Sequence, residues 1–151
     1  MNERIIGPVL SVALRTAQRG PMKEVSKATA TVDGGLTGDI AVSRDRGITF
    51  LSARQWKQVN EELHANLPWH TRRANVLIDA GGLGELIGST IKVGEVTVKV
   101  IAETKPCGLM DTLYSGLRQT LVPDYRGGVY GRVIQGGRIC VGDKLAVIRQ
   151  P

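Results

Sequence analysis

The sequence predicts a mostly β protein: a single domain over residues 1–151, with a curved sheet or β-barrel and a few short helices. Three observations carry this. Runs of β-branched and apolar residues are short and recur along the whole chain. Glycine occurs 19 times, mostly between those runs, where it serves turns. Only one segment has a clean helical period of apolar residues.

The elements follow in chain order. Arg4 followed by "IIGPVLSVAL" has some features of a secretory leader. However, Gly7, Pro8 and Ser11 interrupt the apolar run and no small-x-small cleavage site follows, so Met1–Leu14 is read as the first strand, centred on "VLSVAL". "ATATVDGGLTGD" (28–39) alternates small and β-branched residues before Gly34–Gly35 and Gly38, and "GITFLS" (47–52) is a short strand. Ser52 then caps a helix, with Gln55 placed as in a capping box. Trp56, Val59 and Leu63 recur at i, i+3 and i+7, a stripe suited to core packing, and Pro68 ends the helix. "NVLIDAGG" (75–82) is a further strand. "TIKV" and "VTVKVIAE" flank Gly94–Glu95 as a tight hairpin. A weaker helix covers "DTLYSGLRQTL" (111–121), with Asp111 as its cap. "GVYGRVIQ" and "RICVGDKLAVI" flank Gly136–Gly137, and Gly142–Asp143 turns the chain again. Gly131, inside its strand, marks a bulge or a close backbone approach. There is no internal repeat and no linker.

Hydrophobic residues make up 42% of the chain, enough for a packed core, and charged residues 23%. The formal net charge of +6 favours an anionic partner. Its distribution narrows the choice. Arg72–Arg73 is the only adjacent basic pair, no basic run reaches five residues, and aromatics are 4%, so nucleic acid is a poor fit. No run approaches the roughly 18 apolar residues of a membrane span. A cytoplasmic protein with a small anionic ligand is expected, since guanidinium forks grip phosphate at two points.

Cys107 and Cys140 could form one disulfide at most, and a chain of this length does not need it. Cys140 alternates with Ile139 and Val141 in a strand and reads as inert packing. Cys107 stands apart. Pro106 fixes the backbone before it, Gly108 frees the backbone after it, and the segment leads from a strand end towards the helix read from Asp111. A thiol near a helix start or near cations ionises more readily. His64 and His70 show no arrangement that would pair either with Cys107, and their spacing matches no helical metal pair. A lone cysteine does not build a structural zinc site. Two uses stay open: a carried sulfur, or one thiolate bond to a metal held mainly by a cofactor. Arg73 and Asn75 lie two apart and share a side if the segment is extended. Arg126 precedes Gly127–Gly128, where bare backbone could approach an oxyanion. Arg72 and Arg132, taken singly, read as solvated arginines.

At these residues the chain resembles the MOSC domain family, named for the C-terminal domain of molybdenum-cofactor sulfurases, and most resembles its small stand-alone bacterial members. "RGPM" (19–22), "GGLTGD" (34–39), "ITFLS" (48–52), "RRANVLID" (72–79), "PCGLMD" (106–111) and "RGGVYGRVIQGGRICVGD" (126–143) occur in the expected order over nearly the whole chain. The resemblance implies a β-barrel-like fold and a cysteine, here Cys107, that carries sulfur or ligates molybdenum. It implies the molybdenum cofactor, molybdopterin, with two dithiolene sulfurs on the metal and Cys107 as a third. By the same resemblance Arg73 and Asn75 hold the phosphate region, Thr49 assists, and Arg73 and Arg126 offset phosphate charge, beside the bare backbone of Gly127. The eukaryotic relatives that reduce N-hydroxylated compounds carry an additional N-terminal β-barrel domain, which this sequence is read as lacking. No pyridoxal phosphate is expected, because the desulfurase domain of fused sulfurases is absent from it. A redox partner, or a sulfur-donor protein for a persulfide on Cys107, is implied. Asp111 is read as a helix cap rather than a substrate-orienting group.

Overall fold

The computed structural model describes residues 3–40 and 43–151. Of the first-strand reading, Met1 and Asn2 lie outside the described residues. The strands are β1 (Arg4–Arg15), β2 (Met22–Val25), β3 (Lys27–Ala30), β4 (Ile48–Ser52), β5 (Val76–Ile78), β6 (Thr90–Val93), β7 (Val96–Glu103), β8 (Val129–Gln135), β9 (Gly137–Cys140) and β10 (Lys144–Arg149). The helices are α1 (Ala53–Leu63), α2 (Gly108–Leu113) and α3 (Leu117–Thr120).

Seven strands close into a barrel in the order β10-β6-β7-β8-β4-β5-β1, with β1 pairing back onto β10 and β2 added beside β1. An odd ring cannot alternate direction all the way round. Among the described residues the single parallel pair is β4–β5, and the connection between these strands carries α1, as parallel crossovers usually do. Closure removes the exposed sheet edges that short strands would otherwise present.

Alternation explains the interior. In β7, Val96, Val98 and Val100 are buried, while Thr97 and Lys99 face outward. Ile48 and Phe50 of β4, Val76 and Ile78 of β5, and Val9 and Val12 of β1 join them in one core. Each such side chain contributes about 1.5–3 kcal/mol through burial. The opposite face of β4–β5 builds a second core: Leu51 and Leu77, paired in register, pack with Trp56 and Val59 of α1 and with Met110, Leu117 and Leu121. Thr49 lies between Ile48 and Phe50, so it belongs to this outer face.

The Gly94–Glu95 hairpin is present, with Val93 opposite Val96 and Gly94 at φ 57. Gly131 shows both expected features. The β7–β8 register shifts between Val100 and Ala102, and a side-chain carbon at Gly131 would lie 2.6 Å from the Lys99 carbonyl oxygen. The segment after β8 differs from its simple reading. β9 leaves the barrel to pair with β3, and the break at Gly142 (φ 95) sends β10 back to close the ring. Ser52 caps α1 as read, its Oγ accepting from the Gln55 N–H at 3.1 Å, but the described bonds show no reciprocal half of a capping box, since the Gln55 side chain donates to the Asp124 carbonyl at 2.8 Å. The helix nevertheless stops at Leu63, with His64 left-handed, well before Pro68. No described helix is long and apolar enough to cross a membrane.

Candidate functional site

The outer face of β4 forms one wall of a cleft of about 290 Å³. Arg15, Arg19, Arg46, Arg72 and Arg73 line it together with Thr49, Thr104, Cys107 and Gly127. None of its described lining residues is acidic, so the lining itself carries positive charge, partly offset by Asp39 paired with Arg15.

The turn before β5 sends its two arginines in different directions. Trp69–Arg72 is a 3-10 turn and Arg73 is left-handed (φ 63). Arg72 turns inward. Its Nη2 donates to the Thr104 carbonyl at 2.7 Å, its Nε to the Gly127 carbonyl at 3.1 Å, and Nη1 lies 3.8 Å from Met110 Sδ. Burial and Arg46 push its pKa down to about 10, opposed by Cys107 and Glu103. Arg73 reaches back to the carbonyls of Gly20 and Ala17, tying the β1–β2 loop to the cleft wall. Burial and Arg15 lower its pKa, while Asp39 opposes them.

Gly127 has no side chain because there is no room for one. A side-chain carbon there would lie 3.2 Å from Arg72 Nη2 and 3.3 Å from Pro106 Cδ, and would collide with the Thr104 carbonyl. The Thr104 hydroxyl is buried and has no hydrogen-bond partner among the described residues.

Cys107 is an exposed free thiol on the residue that precedes α2, and Cys140 is free and partly buried. Lys105 is exposed and does not line the cleft, so the cations that share the cleft with this thiol are arginines. Neither His64 nor His70 lines the cleft. Among the described residues no group of three His, Cys, Asp or Glu side chains could hold a metal ion by itself.

Of the residues expected from sequence, the structure gathers Cys107, Arg73, Thr49 and Gly127 around one cleft. Asn75 is fully buried beneath it rather than facing it. Arg126 is not among the lining residues; its guanidinium pairs with Glu62 at 2.8 Å and donates to the Thr120 carbonyl at 3.0 Å. Asp111 lies inside α2, and its carboxylate accepts from the Arg118 N–H at 3.0 Å, so it caps the start of α3. Sequence reasoning set Arg72 aside and passed over Thr104 and Arg15. Arg15 makes a two-point pair with Asp39, at 3.2 and 2.8 Å, and that aspartate ends "GGLTGD". No local signal distinguishes a buried arginine from a solvated one, and Arg72 is found only through its partners.

The chain belongs to the MOSC domain family, whose match covers residues 37–146. Its fold is similar to that of the YuaD protein from Bacillus subtilis, at 16% identity and a TM-score of 0.82, covering 97% of each chain. It is also similar to YiiM from Escherichia coli, at 16% identity and a TM-score of 0.74, covering 95% of this chain and 71% of that one. YiiM from Geobacillus stearothermophilus gives 15% and 0.72, covering 98% and 76%. No curated protein matches the sequence.

Proposed function

We propose that this protein binds the molybdenum cofactor in the arginine-lined cleft, with Cys107 as the protein ligand of the metal, and reduces N-hydroxylated compounds with electrons from a redox partner. One observation carries the reading: a free, exposed thiol stands at a cleft lined by five arginines and no carboxylate. The donor set fits such a group. A single protein sulfur cannot hold a metal alone, so the metal must arrive with most of its ligands, and the arginines suit a phosphate on that carrier.

Within this reading Arg73, Thr49 and Gly127 face the cofactor, and Arg19 and Arg46 add charge at the cleft wall. Asn75 acts through Thr49, and Arg126 supports the helices. When bound, the cofactor supplies the two-electron redox centre that accepts oxygen from the N–OH bond. The overall change, R–NH–OH plus two electrons and two protons to R–NH2 plus water, balances only with an external electron donor. The proposed location is the cytoplasm, where Cys107 and Cys140 stay reduced.

The exposure of Cys107 also favours a second reading, a sulfur carrier that receives a persulfide from a donor protein. One experiment separates the two. The purified chain is incubated anaerobically with isolated molybdenum cofactor, separated by gel filtration, and supplied with a reduced viologen and an N-hydroxylated amidine. Co-eluting pterin and amidine formation, both lost in Cys107→Ala, are expected. Cyanide-releasable sulfur on Cys107 with no turnover would replace the reductase reading with the carrier.

A further inference from the structure

The floor of the cleft holds a guanidinium with no described hydrogen-bonded carboxylate and a hydroxyl with no described partner. Arg72 is 7% exposed, and its described partners are two main-chain carbonyls and a thioether, with no carboxylate among them. A buried guanidinium without an anion is costly, and native structures usually provide one. Thr104 is 6% exposed and its hydroxyl has no described partner. The two groups are tied together, because Arg72 Nη2 donates to the carbonyl of Thr104 itself. Both line the same cleft, and Gly127, packed so closely against the Thr104 carbonyl and Arg72 that no side chain fits, lines it with them.

We propose that Arg72 and Thr104 form a subsite for a tetrahedral oxyanion, of the phosphate, sulfate or molybdate type, at the floor of the cleft. Nη1 of Arg72, whose only described hydrogen-bond partner is the Met110 sulfur, and the Thr104 hydroxyl supply the hydrogen-bond donors. Arg46 adds a second charge from the cleft wall. Arg72 and Thr104 share no described hydrogen bond with Arg73, Thr49 or Asn75, and the subsite does not depend on metal binding by Cys107. Its oxyanion is either a free ion or the phosphate of a larger ligand.

The test titrates the ligand-free chain calorimetrically with inorganic phosphate, sulfate, molybdate and glycerol phosphate. Saturable binding of at least one is expected. Tighter binding of the inorganic ions identifies a free ion as the occupant, and tighter binding of the monoester identifies a larger ligand; both uphold the subsite. Thr104→Val and Arg72→Lys should each weaken binding about tenfold, through loss of a charge-assisted hydrogen bond and of the guanidinium fork. A change at the exposed Lys92, Lys92→Gln, should leave it unchanged. Thr104→Val removes an unpartnered hydroxyl without altering shape, so it carries the test even where Arg72→Lys does not fold. Absence of saturable binding, or wild-type affinity in Thr104→Val, overturns the proposal. Oxyanion binding without cofactor retention counts against the proposed function alone, and cofactor retention without oxyanion binding counts against this subsite alone.

Discussion

Asn75 Oδ1 accepts two hydrogen bonds from Thr49, one from its main-chain N–H and one from its hydroxyl, each 3.1 Å long. The same carboxamide donates to the Ala13 carbonyl at 3.1 Å and to Asp39 Oδ2 at 3.3 Å. Asp39 in turn holds Arg15. One buried amide therefore links β4, the start of β5, β1 and the loop that ends in Asp39, and it fixes the cleft wall from behind. Replacing it by alanine strands the Thr49 N–H and the Ala13 carbonyl, at about 1–3 kcal/mol each. Asn75→Ala is expected to lose roughly 3 kcal/mol, read from the urea midpoint at unchanged slope. A loss below about 0.5 kcal/mol would show that the network is not a structural support.

Gly127 gives a second prediction. A methyl group there has the Thr104 carbonyl, Arg72 and Pro106 in its way, and two of these are main chain or ring. Gly127→Ala is expected to lower stability by about 1–3 kcal/mol, as overpacked sites do, and to displace Arg72. Thermal unfolding together with the oxyanion titration checks both effects.

Arg126 separates support from binding. Its guanidinium is 7% exposed, and its Glu62 partner is half-exposed. Arg126→Gln should destabilise by about 1–3 kcal/mol, because the Thr120 carbonyl loses a charged donor and Glu62 its partner. Cofactor and oxyanion affinities should stay within about twofold of wild type once the fraction folded is corrected for. A specific loss of affinity would return Arg126 to the site.

What was legible in the sequence was local. Ser52 and the Trp56–Val59–Leu63 stripe announce α1, and Gly94–Glu95 announces the β6–β7 hairpin, because cap and turn chemistry act over a few residues. Ring closure is not local, since β1 meets β10 from the far end of the chain. The pairing of Arg73 with Asn75 assumed an extended segment. The chain is instead a 3-10 turn followed by a left-handed residue, so alternation did not apply and Arg72 took the inward place. The helix read over residues 111–121 begins earlier and breaks at Tyr114 (φ −159) before Gly116 (φ 86). That break converts Asp111 from the cap of its own helix into the cap of the next. Cys107 was legible because Pro106 and Gly108 flank it, although the arginines that share its cleft come from distant segments.

The most direct test of the central claim is the molybdenum content of the protein purified from cells that make the cofactor, beside Cys107→Ala. Cys107 is exposed, so its loss should leave the fold intact and isolate the ligand's role. The account predicts about one molybdenum, with released pterin, per wild-type chain and little or none in Cys107→Ala. No molybdenum in either protein, or equal amounts in both, would contradict it.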